Sequence, residues 1–559
     1  MQLNRSYIYL IFAFFLFVYL LPLGSRDLLS PDETRYGEIP REMIASGDWV
    51  VPHLNGLRYF EKPPLGYWIH AGSLLLFGEN NFSVRFPSAL AAGLSSILIF
   101  LLVNQIRRKE QQEDSFPALL ATLIYLSSFE VAAVGNIAVL DSLFSFFVTA
   151  TIASYYWATK SAPRSSRERL FLILAGLLCG LTILAKGFLG IVIPVLVLAP
   201  YLVWQRRYMD LLRMSWLPIV VAILVVLPWS IAIHLREPDF WRYFIWNEHI
   251  RRFVNNDAQH KQSFFFFFMT APVQVMPWFF LIPATLAGLR QLPPATSDQG
   301  RLLRLSMCWL VLPFLFFSAS KGKLLTYILP CFPPFAILMA YGLSHIVEKG
   351  RKKILQWGIV ATGIFFAVLL LAFLYTQLLG DMKLHLFSEH WKTAMVASGI
   401  LSLVVFCYWS LRCQSDKMKV MLLGLAPLLL LYLAHYTIPD TVITKSAPGR
   451  LLEQYQQDIK ADTVVIACEE SIGAVDWNLR RSDVYILQPP GELAYGLQYQ
   501  DAAGRLLDIA SATQLINENR GKVAIIGRTD KIRDLQKVIP YPATLDVSGP
   551  GDKYVFLRF

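Results

Sequence analysis

The sequence predicts a polytopic all-α membrane protein that ends in a small α/β domain outside the bilayer. Three observations carry that prediction. Hydrophobic residues make up 55% of the 559 residues and charged residues only 16%, with a mean hydropathy of +0.45, whereas soluble chains carry about 25% charged residues. Long uncharged runs recur down the first three quarters of the chain. From about residue 438 the pattern changes to short strand-like and helix-like segments separated by polar turns.

A spanning helix needs about 20 mostly apolar residues. About 13 segments qualify, centred near residues 15, 94, 126, 147, 177, 196, 226, 277, 312, 334, 365, 402 and 428. Several contain proline, which membrane helices tolerate. The first run, YIYLIFAFFLFVYLLPLG, is followed by no clear small-residue cleavage site and reads as a retained helix. Lys and Arg in short loops set the orientation. With the N-terminus inside, the inner loops hold Arg107, Arg108 and Lys109, then Lys160, Arg164, Arg167 and Arg169, then Arg206, Arg207 and Arg213. They continue with Lys349, Arg351, Lys352 and Lys353, and with Arg412, Lys417 and Lys419. An odd number of spans then puts the tail outside. Residues 1–437 are the expected membrane domain, with outer loops at 25–80 and 236–263, and 438–559 the expected outer α/β domain. The net charge of +11 follows from the inner loops and from contact with anionic membrane lipid; length and apolarity exclude a nucleic-acid binder. The six cysteines show no CxxC pair and no disulfide framework.

In the tail, TVVIACE, DVYILQ, KVAIIGR and YVFLRF read as strands. SATQLINENR and TDKIRDLQKVI read as helices starting on Ser511 and Thr529. No glycine-rich phosphate motif is present. GELAYGLQYQDAAGR reads as a structured loop, with contact to a sugar or lipid as the alternative.

Residues 30–49, SPDETRYGEIPREMIASGDW, concentrate charge shortly after the first apolar run. Ser30 and Pro31 read as a helix start, with Glu33 completing a capping box and Asp32 favoured by the helix dipole. Pro40 is expected to disturb that helix. On this reading the acids only begin an interfacial helix. Against it, Asp32 lies where a span meets the outer surface, and the loop runs on into LRYFEKPPLGYW. Arg58, Glu61 and Lys62 there sit among aromatics, a composition suited to an anionic lipid headgroup. A functional Asp32–Lys62 pair and an interfacial salt bridge both fit these residues.

PDETRYGEIPREMIASGDWVVPHLNGLRYFEKPPLGYW resembles the first outer loop of the bacterial lipid A aminoarabinose transferases, the undecaprenyl phosphate-α-4-amino-4-deoxy-L-arabinose arabinosyl transferases. The resemblance continues in IAVLDSLF, LAKGFLG, REPDFWRYFIWNEHIRRFVNNDAQH, SKGKLLTYILPCFPP and GELAYGL, in order over nearly the whole chain. It implies the glycosyltransferase C fold and a bacterial inner-membrane location, with active site and tail periplasmic. It implies an undecaprenyl phosphate-linked aminoarabinose donor and a lipid A phosphate acceptor. The modification lowers the negative charge of lipid A and gives resistance to polymyxin and cationic antimicrobial peptides.

By this resemblance Asp32 is the carboxylate at the heart of the site. In related folds it serves as base for a hydroxyl acceptor. A phosphate acceptor is already ionised near neutral pH, so orienting the acceptor, or pairing with the donor amino group or a cation, stays open. Asp141, which closes IAVLD, matches the fold's second acidic position or caps the following span. Lys62 and Arg252 are the candidates for phosphate binding, with Arg58, Glu61 and the hydroxyls of Tyr36, Tyr59 and Tyr327 around them. Tyr36 lies one turn after Asp32; Tyr59 and Tyr327 also suit an interfacial aromatic belt. Lys186, Lys321 and Lys323 at outer helix ends read as snorkelling lysines or, together, as a basic lid. Glu61, His249 and His260 offer a divalent-metal set, but no metal or other cofactor is expected to be required where Lys and Arg supply positive charge.

Other readings make different demands. A glycosyltransferase C enzyme moving another polyprenyl-linked sugar to protein or glycan would keep Asp32 but need not keep YFEKPP or HIRRF. A lipid-linked sugar transporter or flippase would show inverted repeats and broken helices with midplane polar residues; no such repeat is evident. A purely structural scaffold has no need of Asp32 and Lys62.

Overall fold

The computed structural model describes residues 5–109, 115–251, 261–290, 293–381, 385–540, 542–547 and 553–559. It comprises two compact units: Met1–Leu23, Phe86–His385 and Glu389–Thr437 form the first, and Gly24–Arg85, Leu386–Ser388 and Ile438–Phe559 the second. The outer loop expected within the membrane domain at 25–80 therefore belongs to the same unit as the tail.

The described elements of the first unit are helices, apart from an isolated bridge between Lys261 and Gly322. Among the described residues, seven helices are long and apolar enough to cross a membrane: Asn81–Gln105, Ser166–Lys186, Tyr208–Arg236, Asp298–Ala319, Leu325–Glu348, Lys352–Leu378 and His390–Arg412. Two bent pairs raise the number to nine, Phe116–Ser127 with Phe129–Gly135 at 63° and Phe266–Gln274 with Phe279–Leu289 at 97°. The remaining apolar segments fold differently. Those near 15, 196 and 428 are shorter: Tyr7–Leu20, Leu189–Trp204, and Asp416–Leu425 followed by Leu428–Leu433. The segment near 147, Leu140–Thr159, is buried along most of its length and rich in Ser and Thr. Two of its hydroxyls turn back onto the helix, Thr149 to the Ser145 carbonyl at 2.7 Å and Thr151 to that of Phe147 at 2.8 Å, which satisfies them without water. Gly176 and Gly180 let the Ser166–Lys186 helix pack closely on Tyr208–Arg236. A Cβ on them would stand 2.6 Å from the Pro218 carbonyl oxygen and 2.7 Å from Val225 Cβ, the close approach that small residues permit in membranes.

In the second unit the helix Asp32–Ser46 continues through Pro40 and ends at Gly47, whose φ of 71° suits glycine at a C-cap. A short antiparallel ladder follows, β1 (His53–Leu54) with β2 (Leu57–Arg58), then the helix Leu65–Phe77. The tail forms a six-stranded sheet in the order β5–β4–β3–β6–β8–β7. Its strands are β3 (Val464–Cys468), β4 (Tyr485–Leu487), β5 (Leu506–Leu507), β6 (Val523–Arg528), β7 (Leu545–Val547) and β8 (Tyr554–Arg558). β5, β4, β3 and β6 run parallel, and β8 and β7 complete the sheet antiparallel. Ile466, Ile525, Val555 and Leu557 lie in its core. The four expected strands are present; β5, β7 and the helix Glu469–Leu479 are additional. Asp508, not Ser511, caps Ile509–Glu518, accepting the Ser511 N–H at 2.7 Å. Loop and tail interlock through Asn55, whose side chain donates to the Val484 carbonyl at 2.8 Å and accepts its N–H at 3.0 Å.

Candidate active site

Asp32 begins its helix at the surface, with 60% of its side chain accessible. Arg35, one turn on and mostly buried, donates to Asp32 Oδ1. The same guanidinium donates to Tyr59 Oη at 2.7 Å and to Glu492 Oε2, and Tyr59 donates to that Glu492 oxygen at 2.9 Å. Burial pushes the Tyr59 hydroxyl far above its usual range, so it remains a neutral donor. Burial also works to raise the Glu492 carboxyl, but Arg35 and the Tyr59 hydroxyl outweigh it and hold the group below the usual carboxylate range. Arg35 thus links the exposed carboxylate to a charged, partly buried anchor. Glu492, in GELAYGL, was not among the expected site residues. The motif was visible, but its partner stands 457 residues earlier in the chain.

The other residues of this loop divide into presented and structural. Lys62 is partly buried; its Nζ donates to the Glu61 carbonyl at 3.0 Å and lies 3.9 Å from Glu61 Oε2, with Glu61 itself buried. Arg58 pairs with Asp501 at 2.7 Å and lies 4.1 Å over the Tyr499 ring, so it ties the loop to the tail. Tyr36 is buried with its ring 6.1 Å from that of Tyr67 and 5.9 Å from that of His70, supporting the helix that carries Asp32. Glu33 makes no capping box. It accepts the Leu29 N–H at 2.9 Å, Arg26 at 2.5 and 3.1 Å, and Arg85 at 2.7 and 2.9 Å. Burial opposes its charge, yet Arg85 and Arg26 hold its carboxyl well below the usual range.

In the first unit, Asp141 is the second residue of Leu140–Thr159 and does not cap it. Its carboxylate accepts Lys186 Nζ at 2.6 Å, and that ammonium sits 5.1 Å over the Tyr327 ring and 5.4 Å over Phe144. The tyrosine is therefore part of a cation–π site. Lys323 does not present its ammonium as a lid residue: it is buried, donating to the Gln262 carbonyl at 3.1 Å and to that of Ser320. Desolvation lowers its pKa. The Lys321 carbonyl accepts the Gln262 N–H at 3.1 Å. Arg252 and His260 lie outside the described residues, as does the side chain of His249, so the Glu61–His249–His260 metal set is only partly described.

Residues 5–244 match the family pattern described as dolichyl-phosphate-mannose-protein mannosyltransferase, and 443–557 match that described as arabinosyl transferase ArnT, C-terminal domain. Over 532 residues the chain is 39% identical to the undecaprenyl phosphate-α-4-amino-4-deoxy-L-arabinose arabinosyl transferase of Shewanella sediminis, a match that covers 95% of this chain and 94% of that protein. The chain belongs to this arabinosyl transferase family. The arabinosyl transferase of the same name from Aeromonas hydrophila is 39% identical over 529 residues, 93% of each protein. ArnT from Cupriavidus metallidurans bound to undecaprenyl phosphate has the same fold, with a TM-score of 0.81 at 23% identity over 99% of this chain and 98% of that one. Its apo state matches equally, at 0.81. The expected glycosyltransferase C architecture, helical membrane part and α/β tail together, is thus that of the arabinosyl transferases, and the chain is a glycosyltransferase.

Proposed function

We propose that this arabinosyl transferase moves 4-amino-4-deoxy-L-arabinose from undecaprenyl phosphate to a phosphate of lipid A at the periplasmic face of the bacterial inner membrane. The observation that carries the reading is the 39% identity to a transferase of that name over 95% of the chain. In the transfer, an acceptor phosphate oxygen bonds to the anomeric carbon of the sugar while the bond from that carbon to the undecaprenyl phosphate oxygen breaks. The departing lipid phosphate keeps the electron pair. The acceptor is ionised before the reaction, so no proton has to be removed from it. Asp32, exposed and held by Arg35, is then an orienting group and a partner for the donor's amino group. Lys62 and, separately, the Lys186–Asp141 pair beside Tyr327 are the candidate cations for the phosphates. Positive charge held ready where charge develops is the largest lever such a site has, and on this reading no resident metal is needed for it. The first unit also carries an apolar cavity of about 270 Å³ lined by Phe268, Val275, Phe279, Phe314, Phe332 and Phe335, a lining suited to an isoprenoid chain. Mass spectrometry of lipid A tests the reading: cells with the protein should carry aminoarabinose on a lipid A phosphate, and cells without it should not. Unchanged lipid A would favour another acceptor for the same donor chemistry.

A further inference from the structure

The second unit holds a cluster that the transfer reaction does not use. Glu38 and Glu42 lie one turn apart on Asp32–Ser46, and Asp476 enters from Glu469–Leu479. Their residues are 0%, 6% and 0% exposed, and one oxygen from each lies within 4.8 Å of the others. Arg41 donates to Glu38 at 2.8 and 2.5 Å, and the N–H groups of Asn55 and Gly56 donate to Glu42 at 2.6 and 2.9 Å. Asp476 is different: among the described residues, neither of its carboxylate oxygens has a hydrogen-bond partner. A fully buried carboxylate without a partner is costly, and three carboxylates around one directly bonded guanidinium leave negative charge uncompensated.

We propose that Glu38, Glu42 and Asp476 bind a calcium ion that fastens the Asp32 loop to the tail. The donor set is all oxygen, which selects hard cations over those that prefer thiolate or imidazole. Calcium takes oxygen donors at about 2.3–2.6 Å in flexible geometry, so three carboxylates with one oxygen each within 4.8 Å of the others can close on it with small side-chain adjustments. Magnesium demands near-ideal octahedral geometry at about 2.0–2.1 Å and keeps several of its waters, which suits a fully buried carboxylate set less well. A glutamate oxygen already accepting an N–H keeps a further lone pair for the ion. Two positive charges on the ion plus Arg41 balance the three carboxylates. Glu38 lies six residues beyond Asp32, ~9 Å along the helix axis, so the ion holds the loop in place and takes no part in the transfer. Protons are the competing occupant: burial raises the Glu38 carboxyl to about 8 and the Asp476 carboxyl well above its usual range, with Arg41, Arg505 and Arg481 the nearby cations.

The test uses the full-length protein in phosphatidylcholine nanodiscs, stripped with EDTA, dialysed and titrated with calcium chloride at pH 7.5. Bound calcium and the thermal unfolding midpoint are read together. One calcium per chain above the Asp476→Asn value is expected, with a rise of several degrees in the unfolding midpoint. Asp476→Asn should weaken calcium binding at least tenfold and remove the stabilisation. Glu38→Gln, which leaves Arg41 an acceptor, should do the same and serves if Asp476→Asn does not accumulate. No calcium-dependent shift in the unmutated protein would overturn the proposal. So would variants that are more stable than the unmutated protein in calcium, since that marks a proton-holding cluster. An equal response to magnesium would overturn the assignment to calcium.

Discussion

Asp32 and Glu33 are neighbours with opposite fates, and the difference is burial. Asp32 keeps its carboxylate at the surface with one cation on it; Glu33 is enclosed by two. Asp32→Asn should therefore leave the protein in the membrane at its normal level while aminoarabinose on lipid A disappears; retained transfer would reduce Asp32 to a helix-start residue. Glu33→Gln should instead act on folding. It leaves the wholly buried Arg85 beside an uncharged partner, a change that costs about 3–5 kcal/mol, read as a lower unfolding midpoint and less inserted protein. The sign with pH follows from the lowered pKa of Glu33. Its contribution is complete above the unfolded carboxyl value of about 4.3 and is lost only as pH falls through the still lower folded value. Lys62→Ala should cut transfer roughly tenfold to a hundredfold, the equivalent of a charged hydrogen bond of about 1.5–3 kcal/mol. Lys62→Arg should recover part of it, because a planar fork replaces a compact ammonium. Polymyxin tolerance and lipid A composition at matched protein levels check both; no change in Lys62→Ala would leave it an interfacial anchor.

At the scale of elements, segments with a strong period were legible and short or long-range ones were not. β3, β4, β6 and β8 lie in apolar runs rich in Val, Ile and Leu and stood out; β5 has only 2 residues, and in β7 Asp546 interrupts a short apolar run. The capping box at Ser30 had the right spacing, but spacing cannot reveal that Arg26 and Arg85 converge on Glu33 and take its carboxylate. Pro40 looked disruptive, yet the helix absorbs it. The loop GELAYGL shows how backbone packing places a site residue. Gly496 comes so close to β2 that a Cβ there would stand 2.6 Å from the Arg58 carbonyl oxygen. Gly496→Ala must therefore push this loop off β2 and move Glu492 away from Arg35. Transfer should fall by at least tenfold while the amount of membrane-inserted protein stays within a factor of about two; unaffected transfer would show that Glu492 has no part in holding Arg35.

For the whole molecule, hydropathy located the helices well: every expected apolar segment falls on one or more helices, including buried, hydroxyl-bearing ones such as Leu140–Thr159. Charge in the short loops carries separate information. Reporter fusions after Arg108 should score cytoplasmic and fusions after Asp440 periplasmic; the reverse pattern would overturn the orientation and the periplasmic chemistry with it.

The second unit is assembled from the beginning and the end of the chain, and that has a consequence in time. Glu33 finds Arg26 and Arg85 close by in sequence, so this part of the loop has its partners soon after synthesis begins. Arg35 must wait for Glu492, 457 residues later, which at ~5–20 residues per second is roughly 20–90 s of translation. During that interval the nascent loop already carries Asp32, but Arg35 beside it lacks its Glu492 anchor. A chain ended before Glu492 is therefore expected to leave Arg35 without its anchor, and lipid A from cells making only that shortened chain should carry no aminoarabinose.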